Sequence, residues 1–191
     1  MTEPSRTAEP SLSRDRAPGD AAAERQFRQM FCGDIDIRIA RDGTWFHEGS
    51  PIGRKPLVKL FAGVMERDEA GDYWLVTPVE RARIRVEDAP FLAVELTVEG
   101  RGRDQRLTFR TNVDDHVTAD ARHPIRVAMC GPRDEPAPYV LVRGRLEAKI
   151  ARAVYYQLVD LGVEEVVEGR RLLGVWSAGA FFPVGPLPDD A

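Results

Sequence analysis

Residues 35–47 read Ile35-Asp36-Ile37-Arg38-Ile39-Ala40-Arg41-Asp42-Gly43-Thr44-Trp45-Phe46-His47, and this stretch decides the fold class. Three isoleucines at alternate positions, with Asp36 and Arg38 between them, describe a half-buried strand, because successive side chains leave a strand on opposite faces. Asp42-Gly43 is a hairpin signal, since Gly accepts the positive φ that a two-residue turn demands. Thr44 to His47 then begins the return strand. Just beyond, Pro56 suits a first helical turn. Leu57, Leu60, Phe61, Val64 and Met65 come next at the spacing of one apolar helical face. Period two giving way to period 3.6 indicates an α+β protein.

Working outward, Phe27, Met30 and Phe31 predict a short amphipathic helix before this stretch, and residues 1–23, rich in Pro, Ser, Ala and charge, predict a disordered arm. After it, residues 68–72 turn around Gly71, and residues 73–76 and 83–86 read as strands, with Ile84 and Val86 inward. Asp88-Ala89-Pro90 breaks the pattern and divides a first repeat (24–90) from a second (91–184). The second begins with Leu92, Val94, Leu96 and Val98 facing inward, turns at residues 100–104, and returns through Leu107 and Phe109. Residues 125–129 and 139–142 predict strands around a Pro-rich loop at 131–138. A helix is expected from about Glu147 to Leu161, ending at Gly162, followed by strands at 172–176 and 180–184. Residues 185–191 predict a flexible tail.

The halves echo each other. A shift of 98 residues superimposes Cys32-Gly33 on Cys130-Gly131, Arg54 on Arg152, Leu60 on Leu158 and Gly71 on Gly169, and gives ten identities in 48 ungapped positions. The expected architecture is a duplicated strand–helix–strand unit forming two small lobes. The aligned cysteines are expected to fill equivalent core positions.

Charge and composition exclude several functions. Residues 24–184 carry 24 Lys and Arg against 25 Asp and Glu, so no long-range field steers a polyanion, which argues against nucleic acid. Two cysteines are too few for a disulfide framework, no stretch has the apolar length of a membrane span, and no apolar signal segment is visible, which together predict a cytoplasmic protein. Asp114-Asp115-His116 lacks the spacing of a metal site and reads as a solvated acidic turn. Ser177 lacks a nucleophile elbow. The Arg101, Arg103, Arg106 and Arg110 group reads as a solvated hairpin with Phe109 in the core. No phosphate loop is present, and no cofactor is expected.

The stretch from Ile35 to Arg54, with L-V-x-L-F at Leu57–Phe61, L-V-T-P-V-E at Leu75–Glu80 and V-E-D-A-P-F at Val86–Phe91, resembles a bacterial family of unknown function, DUF1285. The resemblance runs over roughly residues 30–184. It implies two related α+β repeats, the second superficially like a pleckstrin-homology fold, a ligand site between them, and a sensing or signalling role. It supplies no catalytic residues.

The residues themselves suggest one constellation: Trp45, Arg54, Asp88, Asn112, Arg143 and Arg152. Arg54 and Arg152 stand at equivalent positions near two helix starts, where anions are favoured. The first expectation is a non-catalytic module binding an anionic metabolite or nucleotide between the lobes, for sensing or signal transduction. The second is a protein-interaction or scaffold module. The third is an acid–base enzyme using scattered carboxylates such as Asp34, Asp36 and Asp88.

Overall fold

The structure is a computed structural model and describes residues 35–131 and 135–186. The expected N-terminal arm, the helix around Phe27–Phe31, Cys32, Asp34 and the end of the tail lie outside the described residues.

Alternation sets the first sheet. Ile37 and Ile39 point into the core from β1 (Ile37–Ile39), which hairpins through Gly43 into β2 (Trp45–His47) and β3 (Ser50–Pro51). Helix α1 (Lys55–Gly63) comes next, with Pro56 in its first turn and Leu57, Phe61 and Ala62 buried. A meander of β4 (Met65–Arg67), β5 (Tyr73–Val76) and β6 (Arg81–Val86) returns the chain, and β6 pairs parallel with β1. The sheet order is β3-β2-β1-β6-β5-β4.

The second half opens with β7 (Phe91–Glu99), the 3-10 turn Gly102–Asp104, β8 (Arg106–Thr111) and β9 (His116–Thr118). It continues through β10 (Ile125–Cys130), β11 (Glu135–Arg143) and β12 (Leu146–Ile150), then α2 (Arg152–Asp160). Strand β12 pairs parallel with β7, completing a sheet in the order β10-β11-β12-β7-β8-β9. A three-stranded meander closes the chain: β13 (Val163–Val167), β14 (Arg170–Ser177) and β15 (Ala180–Pro186). Strand dominates and only two α-helices occur among the described residues, so the α+β reading holds with a heavy β bias.

Several local expectations are corrected. The inward set of β7 is Phe91 and Ala93, then Leu96, while Val94 and Val98 are exposed. A register shift between Ala93 and Glu95 inserts one residue and reverses the parity of the rest of the strand. The Pro-rich segment 135–138 belongs to strand β11. There Pro136 and Pro138 pair with β10, while pairing to β12 begins only at Tyr139, so the missing prolyl N–H groups fall on an open edge. The helix expected from Glu147 starts at Arg152, because Leu146, Ala148 and Ile150 alternate inward as a strand. Met65 lies on β4, beyond the end of α1, and β13 stands in a segment to which the sequence reading assigned no element. Gly63 closes α1, and an added Cβ there would meet nothing, so it serves no close packing. Cys130 is exposed and fills no core position.

The two halves share one hydrophobic core. Ile39, Trp45 and Phe61 belong to the same cluster as Phe109, Ile150, Leu158 and Val184. Polar contacts also cross the junction. Asn112 accepts from Leu92 N–H at 3.0 Å and donates to Gly43 O at 3.3 Å. Arg143 donates to Ala62 O at 2.6 Å and to Asp115 at 2.7 Å. Asp114 gathers Lys55, Lys59 and Arg110 at 2.9, 2.8 and 3.1 Å. The acidic turn expected to be merely solvated therefore clasps α1 to β8.

Candidate ligand site

The hairpin between β1 and β2 carries Arg41 toward a cleft of about 670 Å³ whose remaining walls come from the second half. The end of β12 contributes Lys149, the first turns of α2 contribute Arg152, Tyr155 and Tyr156, and the start of β11 contributes Glu135. The local sequence explains the wall. Ala151 takes an extended conformation (φ −60°, ψ 147°), so the chain leaves β12 and enters α2 directly, with no acidic residue in the first helical turn. Tyr155 and Tyr156 lie three and four residues after Arg152 and so share its side of the helix.

Each cation is held differently. Arg152 donates through Nε to Tyr156 Oη at 2.8 Å and lies over that ring at 5.6 Å, which stretches the guanidinium along the helix surface. Lys149 bonds Asp88 at 2.5 Å, and Tyr139 Oη donates to the other Asp88 oxygen at 2.7 Å. Burial pushes the Asp88 carboxyl up, but the Lys149 and Tyr139 bonds outweigh it and hold the group below its ordinary value. Burial and the same carboxylate drive the Tyr139 phenol well above its usual range. Behind this pair, Arg126 grips Glu147 through Nε and Nη2 at 2.5 and 2.6 Å and covers the Tyr139 ring at 4.3 Å. The Arg41 backbone N–H bonds Glu87, while its guanidinium makes no ion pair or hydrogen bond with the described residues.

The six residues singled out in the sequence do not converge. Arg152 lines the cleft, and Asp88 stands behind its Lys149 wall. Asn112 and Arg143 are spent on the contacts between the halves. Trp45 is 2% exposed and stacks on Phe61 at 6.0 Å, with its indole N–H unbonded. Arg54 caps α1 one position before its first residue, whereas Arg152 is the first residue of α2, so the two are offset by one. Arg54 is not among the residues of the cleft wall. Sequence reasoning missed Arg41, whose signal was only its place beside the Asp42-Gly43 turn, and Lys149, one of three lysines in the chain.

Other chemistry is not assembled. Ser177 is fully buried, accepting from Leu107 N–H at 3.0 Å and donating to Ala119 O at 2.7 Å, so its hydroxyl is occupied by structure. Asp36 pairs with Arg85 at the surface. Among the described residues no group of three or more His, Cys, Asp and Glu can hold a metal ion, and no helix is long and apolar enough to cross a membrane.

Comparison with known proteins places the chain. No curated protein matches it. The crystal structure of a DUF1285 family protein from Silicibacter pomeroyi DSS-3 is similar at 51% identity and a TM-score of 0.75, over 82% of this chain and 83% of that one. A DUF1285 family protein from Shewanella baltica OS155 is similar at 25% identity and a TM-score of 0.52, over 66% of this chain and 92% of that one. Models of the DUF1285 N-terminal and C-terminal domains match residues 25–89 and 90–184. With both domain models matched in order and a relative of half-identical sequence sharing the fold, the chain belongs to the DUF1285 family of proteins of unknown function.

Proposed function

We propose that this protein is a non-catalytic binding module that seats a small anionic metabolite in the cleft between Arg41, Lys149 and Arg152 and acts in sensing. The observation that carries the reading is the Arg41 guanidinium, which comes from the first half, forms no hydrogen bond or ion pair with the described residues, and opens on the same cleft as two cations of the second. Lys149 is held by Asp88 and Arg152 by Tyr156, so the cleft is prearranged and little ordering accompanies binding. A ligand there would touch both halves.

The test is a thermal-shift screen of small organic acids and phosphorylated metabolites, followed by calorimetry. A ligand at a hundred times its Kd raises stability by about 2.7 kcal/mol, a shift of roughly 5–10 °C at this size. Binding that weakens at least tenfold in both Arg41→Ala and Arg152→Ala supports the reading. Exposed Cys130 lines the same cleft, so a bound ligand should also slow its alkylation. A screen with no shift, or binding indifferent to both substitutions, overturns it.

The finer architecture belongs to the same reading. α1 followed by β4, β5 and β6 recurs as α2 followed by β13, β14 and β15 at nearly the shift found in the sequence, which supports a duplicated unit. A second functional reading, a protein-interaction module, draws on β13. This strand ends its three-stranded sheet and exposes Val163, Val166 and Val167, and a free edge accepts an added strand. Val166→Lys, which blunts such an edge, would abolish specific capture of a partner if this reading holds.

A further inference from the structure

The cationic cleft shares Tyr155 and Pro136 with a neighbouring cavity. That second cavity measures about 410 Å³. Its walls are Val127 and Met129 of β10, Leu172 of β14 and Val184 of β15, and no charged side chain lines it. Tyr155 Oη donates to Val184 O at 3.0 Å, so the phenol is satisfied by the backbone and its ring is left as shared wall. A cation-bearing space and an apolar one are thus neighbours, with one aromatic ring and one proline common to both walls.

The charge of the polar end sets the ligand's valence. Arg41, Lys149 and Arg152 face Glu135 in the cleft wall and Asp88 behind Lys149, which leaves one net positive charge. Such a site matches one carboxylate or one singly charged phosphoester. A polyphosphate would bring surplus charge against Glu135 in a space with no further free cation among its described wall residues.

We infer that the ligand is an amphipathic monoanion, a medium-chain aliphatic carboxylate in its simplest form, with its head at Arg41 and Arg152 and its chain in the cavity between β10, α2 and β15. This rests on the binding reading above and adds the chemical class. The hydrophobic effect supplies the discrimination, since each methylene moved from water into an apolar cavity strengthens binding about fourfold. The carboxylate sets which end enters which space.

Calorimetry with acetate, butanoate, hexanoate, octanoate and decanoate tests the inference, with octanol and octylamine as controls. Affinity is expected to rise about fourfold per methylene until the cavity is filled, and then to level off. Octanol and octylamine should bind at least tenfold more weakly than octanoate. Met129 is 58% exposed, so Met129→Glu should fold with an unchanged Tm while placing a carboxylate at the mouth of the apolar cavity. It should weaken octanoate at least tenfold and leave acetate or butanoate nearly unaffected, whereas Arg152→Ala should weaken every member of the series. Affinity independent of chain length overturns the amphipathic assignment while leaving the anion site standing. Octanol binding as tightly as octanoate overturns it as well. If no carboxylate of any length and no other small anion binds, the anion-binding reading itself fails.

Discussion

The guanidinium of Arg143 holds the carbonyl of Ala62, 81 residues away in the chain, at 2.6 Å. Ala62 lies in the last turn of α1, where carbonyls lack the regular helical partner four residues on, so a side chain of the second half braces the end of a helix of the first. The other arm of the fork takes Asp115 at 2.7 Å. Arg143→Ala leaves a last-turn carbonyl and a carboxylate without this partner and should lower stability by about 1–3 kcal/mol. Arg143→Lys keeps the charge but cannot span both acceptors, so its loss should be intermediate. Thermal unfolding followed by circular dichroism reads both, at roughly 2–4 °C per kcal/mol for this size. An Arg143→Ala protein as stable as wild type would show that the fork adds nothing.

Trp45 gives an opposite expectation. Its ring packs on Phe61 with 13° between planes, yet its indole N–H is buried without an acceptor. Trp45→Phe removes the unsatisfied donor and keeps an aromatic ring, so the two effects oppose and the net change should stay within about 1 kcal/mol. Trp45→Ala removes the stack as well and should cost about 3–5 kcal/mol. Urea denaturation of the pair distinguishes ring packing from the indole N–H.

Acid should loosen the protein through its bound carboxylates. At Asp88, burial raises the pKa but the Lys149 and Tyr139 bonds more than reverse it. At Asp114, bonds from Lys59 and Lys55 hold the carboxyl far below its ordinary value. A carboxyl depressed by folding adds stability that is full above its unfolded pKa of about 3.9 and is lost as pH falls through that value toward the folded one. The Tm should therefore be flat down to about pH 5 and fall steeply below about pH 4. Asp88→Asn should lower the Tm at pH 7, because Lys149 loses its partner, and should make the acid limb shallower. An acid limb parallel to that of wild type would contradict the assignment for Asp88.

Gly43 is confined from two sides. Its φ is +79°, a conformation that penalises a Cβ, and a Cβ built there would lie 2.7 Å from Asn112 Nδ2. Gly43→Ala should cost about 1–3 kcal/mol. Part of that cost should vanish in an Asn112→Ala background, where the contact is gone and only the backbone strain remains. A double-mutant cycle measures the difference, and strictly additive effects would show that Asn112 does not crowd the turn.

The parts of the fold legible in one dimension were those governed by short-range physics. Ile37 and Ile39, the Asp42-Gly43 turn, the Leu57–Phe61 helical face and the strand at Tyr73–Val76 all appear where periodicity and turn chemistry put them. The readings that failed did so for identifiable reasons. At Val94 one inserted residue reversed the alternation, and at Pro136 and Pro138 an unpaired strand edge tolerated residues that normally signal a loop. Ile150 and Val154 fit one helical face on paper, yet Ile150 ends a strand whose place is set by pairing with Ala93. For the site, the Arg152 position was visible as a helix start, but its neighbours were not.

By itself the sequence determined the family, the α+β class, the strand and helix faces, and the near-neutral charge of the folded body. Those properties depend on residue type and on spacings of a few positions, which a chain carries into any fold. Only the tertiary structure decided that β1 pairs parallel with β6 and β12 with β7, that both halves share one core, and that Arg41 opens on the same cleft as Lys149 and Arg152. These are pairings between residues far apart in the chain. They are selected by how sheets, helices and buried volume fit together, and no local period encodes which distant side chain will be the neighbour.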